Sequence, residues 1–259
     1  MHTLYIDRKR RRALIKNNLK FIIFLAVFGL VGGYFTVLYS IEIMDPALLE
    51  QTIASAGSLE LVIIVSTIQS LLYAVILGLI GKAIAEKIGL WRKFSLESTS
   101  VISTSIASLV GGVAFILLDM YVFGGLVPEI FESYGTKPTL NYIIASLTYG
   151  GVVEEVMVRL FLMSLIALIL SKITKSEEVT DTHFIVANII SAIFFAAGHL
   201  PATIASIGIT PIIIIRCFVM NGAFGLLFGR MYRKHGIGYA MLTHAGVHLV
   251  SKIIWILFI

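Results

Sequence analysis

Glu154, Glu155, Arg159, His199, His244 and His248 stand at helical spacings within stretches otherwise built of aliphatic, aromatic and glycine residues. On a helix, neighbours point about 100° apart, whereas residues three or four apart share a face. Glu155 and Arg159 are therefore an i, i+4 pair able to neutralise each other. Glu154 turns elsewhere as a carboxylate without a local counter-ion, which makes it the better candidate to take a proton from water. Phe195 precedes His199 by four residues and His244 precedes His248 by four, so each pair occupies one face. A lone buried histidine is most often a hydrogen-bonded packing group. Three of them with two glutamates point to chemistry: imidazoles can hold a water against Glu154, donate to a developing oxyanion, or bind a metal.

The elements that must position these groups are membrane spans. Of the 259 residues, 58% are hydrophobic and 14% charged, and the mean hydropathy is +0.96, which places the chain among integral membrane proteins. Runs long enough to cross about 30 Å of hydrocarbon as helix lie near 21–41, 59–81, 100–123, 140–170, 184–206, 211–229 and 237–258. The fold class predicted is all-α, a polytopic helical membrane protein of about seven spans. The length of 140–170 and the prolines Pro201 and Pro211 leave counts of six or eight open. Charges at bilayer depth cost about 2.5–3.5 kcal/mol each on insertion scales, so Glu154, Glu155 and Arg159 require a protein interior or a wet cavity. No repeat or linker divides the sequence, and 1–259 reads as one membrane domain whose chemistry lies in 140–250.

Laid out alternately, the seven spans place sixteen of the twenty Lys and Arg residues on one side, seven of them between Arg8 and Lys20. By the positive-inside rule the N-terminus, residues 1–20, is cytoplasmic, and the protein is a multi-pass protein of the cell membrane. The run Arg8–Arg12 reads as the flank of an uncleaved first span that touches anionic lipid, and the net charge of +5 carries no expectation of a nucleic-acid partner. Cys217, the one cysteine, reads as a small packing residue, and Arg230–His235 as a basic loop.

The same residues resemble the CPBP family of intramembrane proteases, which includes the CAAX prenyl endopeptidases and bacteriocin-immunity relatives. Glu154-Glu155-Val156-Met157-Val158-Arg159 fits EExxxR, Phe195-Ala196-Ala197-Gly198-His199 fits FxxxH, and His244 fits the first position of HxxxN or HxxxD. The resemblance implies a helical endopeptidase whose Glu154 and His199 activate a water, whose His244 and residue 248 stabilise the oxyanion, and whose Glu155 and Arg159 brace the helix. It further implies a conical cavity toward the cytoplasm and a peptide or lipid-modified peptide as substrate, with no cofactor.

His248 departs from the pattern. Imidazole there keeps a hydrogen-bond donor, and it also completes a set, Glu154, His199, His244 and His248, that could hold zinc as in a metalloprotease, although no HExxH occurs. A second class of reading is a non-catalytic scaffold, immunity or transport protein, in which Arg216 and Lys252 join the same polar network. The simple topology also sets Glu154, His199 and His244 at depths differing by roughly 10 Å at 1.5 Å per residue, and so predicts a broken or tilted helix around 200–210.

Overall fold

The computed structural model describes the backbone of residues 2–259 and the side chains from Asn18 onward. The run Arg8–Arg12 lies outside the described side chains. Nine helices without a strand make up the described residues: α1 His2–Ile43, α2 Pro46–Ala56, α3 Leu59–Lys87, α4 Ser98–Phe123, α5 Pro128–Ser133, α6 Leu140–Ile173, α7 Asp181–Ile207, α8 Pro211–His235 and α9 Ile237–Phe258. Seven of them, all but α2 and α5, are long and apolar enough to span a membrane. The architecture is that of a multi-pass helical membrane protein.

The boundaries follow local chemistry. Asp45 accepts from the amides of Ala47 and Leu48 before Pro46 opens α2. Thr139 caps α6 through the amide of Tyr142, and Thr210 caps α8 through that of Ile213 with Pro211 as first residue. Thr180 and His183 close a reciprocal capping box on α7, satisfying amides that have no partner within the helix. Gly208 and Gly236, at φ +77° and +94°, end α7 and α8 in a backbone region that side chains disfavour.

One expectation changes and another narrows. α8 continues through Arg230 to His235, so the basic segment read as a loop forms the last turns of a helix, where cations meet the negative end of its dipole. α7 continues through Pro201 to Ile207, and the break comes only at Gly208.

The central helix is α6. Val153, Val156, Leu160 and Ala167 are fully buried, and together with Leu25, Ala74, Ala187, Tyr232 and Ala240 they form the larger apolar core. Between Ser146 and Met163, apart from Glu155, α6 is hydrogen-bonded i→i+5. Such wider turns are rare and cluster at functional sites. Here they contain Glu154 and Arg159 and flank Glu155 on both sides.

Candidate active site

Glu155, at the junction of the two wide-turn segments, is fully buried. Its Oε1 accepts from His244 Nδ1 at 2.8 Å and lies 3.3 Å from Arg159 Nη1. Arg159, also without solvent exposure, donates from Nη2 to the Gly225 carbonyl at 3.2 Å. Its guanidinium lies over the Phe195 ring, 4.3 Å from the centroid, a cation–π contact that is strengthened by desolvation. The expected Glu155–Arg159 pair is present, and the carboxylate additionally fixes an imidazole 89 residues away.

Glycine makes both approaches geometrically feasible. A Cβ on Gly151 would fall 2.7 Å from the Ala245 Cβ, so only glycine lets α9 come close enough to α6 to deliver His244. A Cβ on Gly225 would fall 3.0 Å from the Ala192 Cβ and 3.4 Å from Arg159 Nη2.

Glu154 faces another way, as its position one residue earlier dictates. Its Oε1 stands 3.7 Å from His199 Nε2, and the two side chains keep 19% and 33% exposure. His199 Nδ1 lies 2.8 Å from the Phe195 carbonyl. A carbonyl only accepts, so Nδ1 carries the proton and Nε2 of the neutral ring presents a lone pair. The separation between Nε2 and Oε1 is too long for a direct hydrogen bond.

The third motif continues the chain of imidazoles. With His244 Nδ1–H donated to the Glu155 carboxylate, His244 Nε2 is an acceptor. His248 Nε2, 3.2 Å away, is then the donor, which leaves His248 Nδ1 buried and without a partner. In this neutral arrangement the Nε2 atoms of His244 and His248 are engaged with each other. An oxyanion role requires a further proton on the pair or a turn of His248. Phe228 stacks on His244 at 4.1 Å and 19°, and Phe195 meets His199 edge-on at 4.6 Å. Phe195 was expected beside the site. Phe228 was not, although its place between Gly225 and Gly229, glycines four apart and therefore on one helix face, is the signal that could have singled it out.

The residues of the four-ligand zinc set therefore stand as two pairs, Glu154 with His199 and His244 with His248. Among the described residues, no three His, Cys, Asp or Glu side chains converge closely enough to hold a metal ion.

Arg216 and Lys252, which no motif had explained, have their own partners. Arg216 forks onto Asp119, Nε to Oδ1 at 2.6 Å and Nη2 to Oδ2 at 2.8 Å. The Tyr134 hydroxyl donates to the same carboxylate at 2.8 Å, and burial together with that negative charge pushes its pKa well up. Lys252, 3% exposed, places its ammonium 4.1 Å from the Tyr142 ring centroid. Cys217 is buried, as its reading as a packing residue requires. The expected 10 Å disagreement in depth does not arise within these pairs, because the 34 residues of α6 and 27 of α7 exceed the roughly 20 needed to cross and leave room for tilt.

Comparison with known proteins found no match among curated proteins and none among solved structures. A family model does match. Residues 135–250, the stretch that contains every residue of the candidate site, match the model described as Type II CAAX prenyl endopeptidase Rce1-like, in agreement with the kinship drawn from the three motifs.

Proposed function

We propose that the protein is an intramembrane endopeptidase in which Glu154 and His199 together activate the attacking water. One observation carries this reading: Glu154 Oε1 and His199 Nε2 are both acceptors, 3.7 Å apart, with the imidazole tautomer set by the Phe195 carbonyl. Two acceptors at that separation are complementary to one water that donates both of its O–H groups. Such a water keeps its lone pairs free for the scissile carbonyl carbon.

As the oxygen attacks, Glu154 takes one proton. The new C–O bond forms while the carbonyl becomes an oxyanion, and cleavage of the C–N bond returns the proton to the leaving amine. With its ring turned off His244, His248 presents an N–H to the oxyanion, while Glu155 and the stacked Phe228 hold the His244 ring in place. Glu155 and Arg159 act as the brace for that ring and contact no reacting atom. No step runs through a metal.

The proposed substrate is a peptide or lipid-modified peptide presented at the side of the membrane that carries the basic loops, which the charge distribution assigns to the cytoplasm. The test is cleavage of lipid-tailed and unmodified peptides by the purified protein in bilayers, with Glu154→Ala as control. Cleavage by wild type, resistant to chelator and absent in the variant, is expected. A folded wild type that cuts neither class would move the reading to a non-catalytic membrane protein. Loss of cutting on chelation would move it to a metalloprotease.

A further inference from the structure

A groove of about 530 Å³ runs between α4 and α8, with neither Glu154 nor Glu155 in its lining. Its walls are apolar, with Ile106, Val110 and Leu118 on one helix and Phe224 and Leu227 on the other. Ile106 and Val110 are more than half exposed, toward where lipid would lie. α4 and α8 both lean on α9, and Gly111 and Gly112 let α4 approach it closely, since a Cβ at either would fall 2.8 Å or less from Val247 or Val250. From Ser103 to Leu118 the groove follows α4 for about 22 Å at 1.5 Å per residue. One leaflet's share of a roughly 30 Å hydrocarbon core is about 15 Å, so the groove can take an acyl chain along its full depth.

The basic-loop end of the same groove differs in chemistry. Arg230, Lys234 and His235 line it, at the end of α8 where a span leaves the hydrocarbon. Arg230 and Lys234 are exposed and take part in none of the ion pairs formed among the described residues. Arg92 joins them by donating from Nη1 to the Lys234 carbonyl at 2.6 Å. His235 bonds Ser100 through Nδ1 at 2.8 Å, while its Nε2 is buried without a partner. The neighbouring carboxylate is Glu97, which accepts from Ser95 and leaves the cluster with a surplus of positive charge.

We infer that this groove holds one anionic phospholipid, its phosphate between Arg230 and Lys234 and an acyl chain along Val110 and Phe224. Guanidinium matches phosphate oxygens in a fork, and basic pockets between spans at this depth select acidic headgroups. A zwitterionic lipid fills the groove equally well but carries its own cation, which the cluster repels. The bound chain would also shield the site from lipid on that flank: Phe224 stands 5.8 Å from Phe115, and Phe115 stands 6.4 Å from the His248 ring.

The test measures retained lipid by native mass spectrometry on the full chain, extracted from bilayers that contain equal phosphatidylglycerol and phosphatidylcholine. Wild type should retain phosphatidylglycerol in preference. Arg230→Gln with Lys234→Gln should reduce that preference roughly tenfold or more, at about 1 kcal/mol for each basic residue near the surface. Val110→Trp, which fills the groove at a lipid-exposed position, should reduce it without altering charge. Equal retention of the two lipids by wild type would overturn the inference. So would a preference indifferent to Val110→Trp, because the headgroup would then sit on the basic surface with no chain in the groove. Displacement of the retained lipid by a lipid-tailed peptide at stoichiometric amounts would assign the groove to substrate instead. None of these variants touches Glu154 or the histidines, so lipid retention and peptide cleavage can fail separately.

Discussion

Two adjacent glutamates, one residue apart on the same helix, stand in opposite surroundings here. Glu155 has no solvent exposure and stands against Arg159 and His244, whereas Glu154 keeps 19% exposure and faces one imidazole across 3.7 Å. The first carboxylate is held on several sides and holds others. The second keeps an open edge, from which one water can bridge it to its partner. A group that must gain and lose a proton during each turnover needs such an edge, and a group that orients a ring needs its absence. Exposure and the polar groups that stand against each carboxylate, rather than residue type, separate the two environments.

The contrast is most directly broken at Glu154. Glu154→Gln should lower peptide cleavage by about 10²- to 10⁴-fold, the usual contribution of a general base, and leave the unfolding midpoint near that of wild type. A variant that cleaves normally would remove the distinction between the glutamates. The converse experiment is Arg159→Ala, which strands Glu155 as a buried unpaired charge and should destabilise the fold by about 3–5 kcal/mol. Yield and thermal unfolding read this, and fully active, well-expressed Arg159→Ala protein would show that Glu155 needs no brace.

Asp119→Asn tests the comparison from outside the site. It weakens the fork to Arg216 and should cost about 1.5–3 kcal/mol, the range for hydrogen bonds to a charged group. Cleavage per folded molecule should stay unchanged, since this cluster joins helices without reaching Glu154; a specific loss of turnover would tie the two regions together. The smallest effect is expected at His248→Asn. The amide can replace the ring as donor to His244 Nε2, so activity should remain within about tenfold, against the roughly 10²- to 10³-fold that follows when such a donor is lost altogether. Zinc content measured alongside gives the alternative: stoichiometric metal that disappears together with activity in this variant would join the two pairs into one ligand shell.

Much of this arrangement was legible before any coordinates. Hydropathy marked seven spans because the bilayer imposes a length on them, and a spacing of four tied Glu155 to Arg159 while turning Glu154 aside. What escaped reading was set by packing between distant segments. The Asp119–Arg216 fork joins residues 97 apart and the Glu155–His244 bond residues 89 apart, and no local pattern announces either. The i→i+5 turns of α6 have no composition of their own, and they still keep residues four and five apart on one face, so the inferred Glu155–Arg159 pairing survived a wrong assumption about the helix. The Arg230–His235 segment was misread because charge density was taken for a loop, when positive residues in the final turn of a helix are favoured by its dipole.

The 89 residues between Glu155 and His244 also set an order of assembly. At about 5–20 residues per second of synthesis, roughly 4 to 18 s separate the emergence of the fourth span from that of the imidazole that will complete its hydrogen bonding. Throughout that interval the Glu155 carboxylate has Arg159, on its own helix, as the counter-charge already at hand. The arginine four residues downstream thus acts as a travelling companion, lowering the net charge of a nascent segment that must enter the bilayer long before its final neighbours exist.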